Sequence, residues 1–270
     1  MTATRRVTLI TGASDGIGLE FARVFARHGH DLALTGRRAD RLEALADEIA
    51  AAGRPRPLVL PCDLAPADAP GRLAEALTEA DGAVEMLVNN AGFGLNGAFD
   101  ALPREEQLAM VDLNVRALVA LTHLFLPDVR AARGGVLNVA SIAGFAPGPH
   151  MAVYYATKAF VLSFSQALHE ELRPHGVRVT ALCPGPVPTG FQSRAGIAES
   201  VAGSAAALSA RATAEAGYAG FRDGRRVVTP GSVNKGLAMA LACMPRRFLL
   251  PRLAARQASR RTDGLKSSHS

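Results

Sequence analysis

A doubly wound α/β fold, with a parallel β-sheet flanked by helices in a single domain, is predicted by three features of this 270-residue chain. Short apolar runs alternate with stretches of helical periodicity from the N-terminus to about residue 182. Those runs are continuously apolar, as strands covered by helices on both faces must be. The first of them, Val7-Thr8-Leu9-Ile10, leads through Thr11-Gly12-Ala13-Ser14-Asp15-Gly16-Ile17-Gly18 into a helical pattern. Strand, glycine turn and helix in that order place backbone N–H groups and a positive helix dipole where an anion can sit.

The elements follow in sequence. Leu19 to His28 carries Phe21, Val24 and Phe25 at helical spacing, and Asp31–Thr35 is the second strand. Gly36-Arg37-Arg38 turns the chain into a helix over Asp40–Ala52. Leu58–Leu60 is a third strand, closing on Cys62-Asp63-Leu64, and a helix near Ala69–Ala80 follows. The fourth strand, Glu85–Val88, runs into Asn89-Asn90-Ala91-Gly92, and a long helix covers Arg104–Leu126. Val136–Ala140 is the fifth strand. The helix after it, carrying Tyr154, continues to Leu172, where Pro174 and Gly176 end it. Val177–Leu182 is the sixth strand, followed by Pro184-Gly185-Pro186-Val187-Pro188-Thr189, and a seventh near Val227-Val228 is short or absent. No repeat or linker divides the chain.

Chemistry concentrates between Ser141 and Lys158. Tyr154 and Lys158 are four apart, so a helix projects them from one face. A free tyrosine titrates near ~10, and a neighbouring ammonium favours its phenolate, which makes it a usable acid and base toward an alcohol or carbonyl. Ser141, at the end of the fifth strand, is placed to hold the same substrate oxygen. The chain contains only three tyrosines and three lysines, and arginine supplies the rest of its positive charge. A lysine at position 158 therefore marks a need for a compact ammonium.

Composition narrows the alternatives. Hydrophobic residues are 49% and charged residues 20% of the chain, which is globular rather than disordered. The net charge of +6 suggests nucleic acid, but all of it arises from Met244 onward; residues 1–243 balance to zero, so no nucleic-acid partner is expected. Cys62, Cys183 and Cys243 form no C-x-x-C, which points away from a disulfide framework or a thiolate metal site and toward a cytoplasmic setting. The apolar stretch Leu237–Met244 is cut by Pro245-Arg246-Arg247, so no membrane span is expected there.

Together, these motifs resemble the short-chain dehydrogenase/reductase family in its common form of roughly 250 residues, over about Arg6–Thr189. Thr-Gly-x-x-x-Gly-x-Gly stands at 11–18, Asn-Asn-Ala-Gly at 89–92, Ser141 precedes Tyr-x-x-x-Lys, and Pro-Gly-x-Val-x-Thr fills 184–189. The resemblance implies a Rossmann-type sheet, a nicotinamide dinucleotide cofactor, a small carbonyl or alcohol substrate, no metal, and a homodimer or homotetramer. It implies that Tyr154 is the general acid/base, Lys158 its pKa modifier and a ribose ligand, Ser141 the substrate-oxygen binder, and Asn114 the holder of a relay water. Gly12, Ser14, Asp15, Gly16, Ile17 and Gly18 would cradle the pyrophosphate. Asp63 and Leu64 would lie at the adenine, though Asp63 also reads as a strand-end cap. Asn90, Ala91 and Gly92 would line the adenine ribose, and Pro184, Gly185, Val187 and Thr189 would face the nicotinamide. The same fold also accommodates a non-catalytic dinucleotide sensor or an interaction protein.

An NAD-specific fold carries an acid about 20 residues past the glycine turn. Here Gly36 stands there, followed by Arg37 and Arg38, which suit the 2′-phosphate of NADP(H). Residues 1–243 are read as the catalytic domain, with a lid over about 190–221 carrying Phe191, Ile197, Val201, Leu208, Tyr218 and Phe221. That lid is poor in charge, so an apolar substrate is expected. Val161, Phe164, Leu168 and Leu172 are candidates for a subunit contact. Residues 244–270 are a basic extension in which Pro245 and Pro251 exclude one continuous helix. Its apolar residues either cover the protein's own pocket or a neighbouring subunit, or lie on an anionic membrane.

Overall fold

The computed structural model describes residues 4–195 and 204–255. Seven strands form one all-parallel sheet: β1 (Arg5–Thr11), β2 (Leu32–Gly36), β3 (Leu58–Pro61), β4 (Gly82–Asn89), β5 (Gly135–Val139), β6 (Arg178–Leu182) and β7 (Val227–Val228). Their order is β3-β2-β1-β4-β5-β6-β7. The chain winds one way from β1 to β3 and the other way from β4 onward, so its direction reverses between β1 and β4. A crevice opens there at the carboxyl ends of the strands, where such sheets bind ligands. The seventh strand is present but only two residues long, pairing Ala181 with Val227 and Leu182 with Val228.

Helices cover both faces because the strands offer no polar side. On one face lie α1 (Gly16–Arg27), α2 (Ala39–Ala51) and α8 (Ala210–Arg222). They bury Phe21, Phe25, Leu42, Leu45 and Phe221 against β-residues such as Ile10 and Leu34. On the other lie α3 (Ala69–Glu79), α5 (Leu118–Ala131) and α6 (Ala152–Leu172), with Leu73, Leu121, Phe125 and Leu172 packed on Leu9, Leu87 and Val136. A short α4 (Arg104–Val111) precedes α5, and α7 (Gly190–Ala195), α9 (Ser232–Cys243) and α10 (residues 246–255) complete the described helices.

Three departures from the sequence expectation have local causes. The long helix passes through a π-helical turn at Asp112–Ala117 and continues across Pro127 to Ala131. Pro127 faces solvent, as does His123 four residues back, so water can satisfy the carbonyl that proline leaves unbonded. In the extension, Pro245 does separate α9 from α10, but Pro251 lies inside α10 on its exposed side and does not break it. Finally, Tyr218 and Phe221 do not belong to a lid. They pack on Phe25, with ring centroids 4.8 and 6.4 Å away, and belong to the core under α8. Ile197 and Val201, also expected in the lid, lie outside the described residues.

The run Arg104–Ala131 is long and apolar enough to cross a membrane by length and composition. Here it lies on the sheet, with Leu121 and Phe125 buried beneath it. It leaves Leu108, Val111 and Leu124 exposed, and Phe160 of α6 is exposed as well. The candidates named for a subunit contact lie differently: Val161 and Leu172 are buried in this chain's own core, and Phe164 is half-buried with its ring stacked on Phe160.

Candidate active site

The glycine turn closes because two of its residues carry no side chain. Gly12 has φ +66°, and a Cβ there would meet Asn90 Nδ2 at 2.9 Å. Gly18 lies beneath it, where a Cβ would meet the Gly12 carbonyl oxygen at 2.2 Å. That contact lets the first turn of α1 come up against the loop. Asp15 starts the helix by accepting a bond from Gly16 N at 2.8 Å, and Asn90 ties β4 to β1 by donating to Thr11 O at 2.9 Å.

A cavity of about 540 Å³ opens over this turn and runs along the carboxyl ends of the strands to α6. Gly12, Ser14, Asp15, Gly16 and Ile17 line one end, with Arg37, Arg38, Asp63 and Leu64 beside them. Asn90, Ala91 and Gly92 form its middle, and Pro184, Gly185, Val187 and Thr189 the opposite wall. Ser141, Tyr154 and Lys158 line the same cavity, together with the apolar side chains Phe93, Met151 and Tyr155. Of the residues singled out in the sequence, Gly18 and Asn114 do not line it. Gly18 packs under the turn, and Asn114 is buried behind the wall.

The catalytic candidates are held from several directions. Ser141 ends the segment after β5 in extended conformation (φ −173°, ψ 162°) and accepts from Ala143 N at 3.1 Å, capping a 3-10 turn over Ile142–Phe145. Tyr154 is in the first turn of α6, with the Ser141 side chain near enough to its hydroxyl to favour the ionised phenol. Lys158 Nζ donates to Val139 O at 2.8 Å and lies 5.9 Å from the Tyr154 ring centre. Asn114 donates to Phe93 O at 2.9 Å and to Thr157 Oγ1 at 3.1 Å, and accepts from Phe93 N at 3.1 Å. Thr157 in turn donates to Tyr154 O at 2.7 Å. The Asn114 side chain is thus spent on protein partners. Any relay water at this position must use its backbone, within the π-turn where the regular helical hydrogen-bond ladder is interrupted.

Electrostatics differ from the simple expectation of a lysine lowering a tyrosine pKa. Burial is the largest influence on both groups: it raises the Tyr154 phenol above its ordinary value, which the Ser141 side chain partly opposes. It also pulls Lys158 down from 10.5 to about 8. Near neutral pH Tyr154 is therefore a neutral phenol, and Lys158 is an ammonium that gives up its proton more readily than an exposed lysine.

Arg38 bonds Ser14 O at 3.2 Å and pairs with Asp15 at 3.3 Å, lying over the outside of the turn. Arg37 is exposed and, among the described residues, has no recorded partner. At the apolar end of the cavity Phe93, Met151, Tyr155, Phe191, Leu241 and Leu253 come together from five separate segments. Phe191 carried a signal in the sequence by lying in a charge-poor stretch, Met151 by lying between Ser141 and Tyr154, and Leu241 and Leu253 by belonging to the apolar residues expected over the pocket or a neighbouring subunit; Phe93 and Tyr155 carried none. His150 faces a separate small hollow, with φ +62° and its carbonyl accepting from Gly97 N.

Residues 6–199 match the family described as short chain dehydrogenase. The chain is a short-chain dehydrogenase/reductase. A sulfoacetaldehyde reductase of Chromohalobacter salexigens is 42% identical over 185 residues, 67% of this chain and 72% of that protein. A solved short-chain dehydrogenase from Sphingobium yanoikuyae in complex with NADPH is 33% identical, with TM-score 0.77 over 90% of this chain and 97% of that one. A second solved member, from Burkholderia phymatum in complex with NAD, is 25% identical, with TM-score 0.76 over 88% of this chain and 94% of the other. This short-chain dehydrogenase/reductase is accordingly an oxidoreductase acting on CH–OH groups with a nicotinamide dinucleotide. Its own residues suit that cofactor: the turn allows backbone to approach a pyrophosphate, and the Gly12 and Gly18 contacts leave no room for side chains that would fill the cradle.

Proposed function

We propose that the protein is an NADP(H)-dependent carbonyl reductase or secondary alcohol dehydrogenase acting on an apolar ketone, aldehyde or alcohol, with Tyr154 as general acid/base. The observation that carries this reading is the grouping of half-buried Ser141 with buried Tyr154 and Lys158 in one cavity that is lined both by the glycine turn and by apolar side chains.

The bound cofactor supplies or accepts the hydride. The residues do the rest. Ser141 Oγ and the Tyr154 hydroxyl line the same cavity and converge on one substrate oxygen. As a carbonyl is reduced, negative charge grows on that oxygen, and Tyr154 gives it the phenolic proton. Lys158 spends one of its donors on Val139 O and keeps others for the ribose hydroxyls, its charge then favouring the phenolate left on Tyr154. Asn114 and Thr157 position the first turn of α6, and with it the phenol. Phe93, Met151 and Phe191 exclude water from the reacting atoms.

The preference for NADP(H) is supported by Gly36 at the end of β2, where an acid would repel a 2′-phosphate, and by the two arginines that follow. Arg38 is partly neutralised by Asp15, which leaves Arg37 as the freer cation. A charge-assisted bond is worth roughly 1.5–3 kcal/mol, so Arg37→Ala should weaken NADPH about tenfold or more and leave NADH nearly unchanged. The substrate reading is supported by the described lining near Tyr154, which is aromatic and aliphatic, in contrast to the anionic aldehyde named for the Chromohalobacter relative. An NADPH-oxidation screen over carbonyl compounds of graded size and polarity tests both. Apolar ketones should be turned over and small anionic aldehydes should not. Equal use of NADH and NADPH, or a preference for anionic substrates, would overturn the reading.

A further inference from the structure

We propose that α10 is a wall of the substrate cavity, in which Leu241 and Leu253 set the size of the apolar substrate and Arg246 is the positioning residue that holds the wall shut. This rests on the reading of the site as an apolar carbonyl reductase and names the residues that measure that substrate.

The geometry begins where α9 ends. Met244 is extended (φ −67°, ψ 132°), and Pro245 turns the chain back so that α10 returns toward the site. Arg246 then staples three segments. Its Nη1 donates to Leu241 O at 3.0 Å, one of the carbonyls the end of α9 leaves unbonded, and both Nη atoms reach Phe145 O at 3.4 Å. Phe145 closes the 3-10 turn that Ser141 caps, so the guanidinium ties α10 to the segment carrying the substrate-binding serine. Behind this staple, Leu249 is buried with Ala146 and Leu241, and Leu237, Phe145 and Leu253 pack around them. Leu253, one turn further on, lines the same cavity as Tyr154. The opposite face of α10, with Phe248, Arg247 and Arg252, is in solvent. All three arginines of α10 are exposed, but Arg252 bonds only Phe248 O within its own helix, whereas Arg246 reaches carbonyls of α9 and of the Phe145 turn, which places it to orient the helix.

The test is a homologous series of ketones from butan-2-one to decan-2-one, reduced with NADPH by the full-length enzyme and its variants. A buried methylene is worth about fourfold in kcat/KM. The full-length enzyme should show that gain along the series until the chain meets Leu253, and then a plateau. Leu253→Ala should move the plateau to longer ketones, and a chain ending at Ala242 should lose most of the gain per methylene. Arg246→Ala should raise KM for decan-2-one several-fold more than it lowers kcat for butan-2-one, with Arg246→Lys restoring part of the loss. Met239→Ala, on the exposed side of α9, should follow the full-length enzyme. An unchanged slope and plateau in both Leu253→Ala and the shortened chain would overturn the proposal. If no ketone in the series is reduced, the functional reading fails, and a separate signal still decides the wall. The chain has no tryptophan, so Leu253→Trp gives a single emission. Emission from a buried indole that decan-2-ol perturbs in the NADP-loaded protein supports the wall. Water-exposed emission indifferent to decan-2-ol overturns it.

Discussion

Lys158 is buried, and its folded pKa of about 8 lies below the 10.5 of an exposed lysine. Between those values the unfolded chain binds a proton that the folded chain does not, so stability rises with pH through that window and is lost as pH falls through about 8. Tyr154 acts in the opposite sense above its ordinary value of 10.0, because its folded pKa is raised and stability falls as pH climbs further. Cys62 and Cys183, whose thiols burial raises above their ordinary 9.0, also oppose the lysine, so its own effect is read between about pH 8 and 9.5 from the difference between the protein and Lys158→Met. Over that range the cofactor-free protein should gain on the order of 1–2 kcal/mol relative to Lys158→Met, or a few degrees in melting temperature. Parallel melting curves for the two proteins would show that Lys158 is not desolvated. Cofactor contacts that favour the charged amine should also make NADPH binding take up a proton near pH 8–9, measurable by titration calorimetry in buffers of different ionisation enthalpy. Residue identities of this kind were legible in the sequence, because Tyr154 and Lys158 are neighbours on one helix. Their titration was not, because it depends on burial that only the assembled fold creates.

At the scale of elements, the interrupted helix holds the site together. Asn114 lies in the π-turn and connects the Phe93 backbone to Thr157, which bonds the carbonyl of Tyr154. Asn114→Ala would leave Thr157 Oγ1 and the Phe93 peptide group without these partners, at about 1–3 kcal/mol each for a buried unsatisfied group. The expected result is a lower melting temperature together with a fall in kcat that exceeds any rise in the NADPH dissociation constant, since the cofactor end of the cavity does not contain Asn114. Equal effects on kcat and cofactor binding would argue against a positioning role. The sequence pattern located this helix and the strands to within a few residues, since continuous apolar runs and helical periodicity are local signals. It could not reveal the π-turn. It also stopped the helix short of Pro127 and broke the extension at Pro251, because a proline interrupts a helix only where water cannot replace the lost bond.

At the scale of the whole molecule, large apolar side chains on three helices are exposed among the described residues. Leu108, Val111, Leu124 and Phe160 are exposed on α4, α5 and α6, where Phe160 and Phe164 stack at 5.7 Å. We propose that a second copy of the chain covers this face in a homodimer or homotetramer. Sedimentation should show a dimer or larger at micromolar concentration, and Phe160→Asp with Leu124→Asp should shift it toward monomer. A monomeric unmutated protein would contradict the proposal. The sequence named Val161, Phe164, Leu168 and Leu172 of α6 for such a face; Val161 and Leu172 turn inward while Phe164 and Leu168 are half-buried, because periodicity identifies an apolar side without saying how much of it the sheet already covers. The same limit hid Phe93 and Tyr155 at the apolar end of the cavity, where they meet Leu241 and Leu253 of the extension that the sequence had offered as a pocket cover. The central claim concerns Tyr154, and one comparison tests it most directly: the rate of NADPH oxidation with a reducible ketone for Tyr154→Phe and Tyr155→Phe, each with its NADPH dissociation constant. Tyr154→Phe should lose about 10²–10⁴-fold in turnover while binding NADPH almost normally, and Tyr155→Phe should stay active. An active Tyr154→Phe enzyme beside an inactive Tyr155→Phe enzyme would contradict the account.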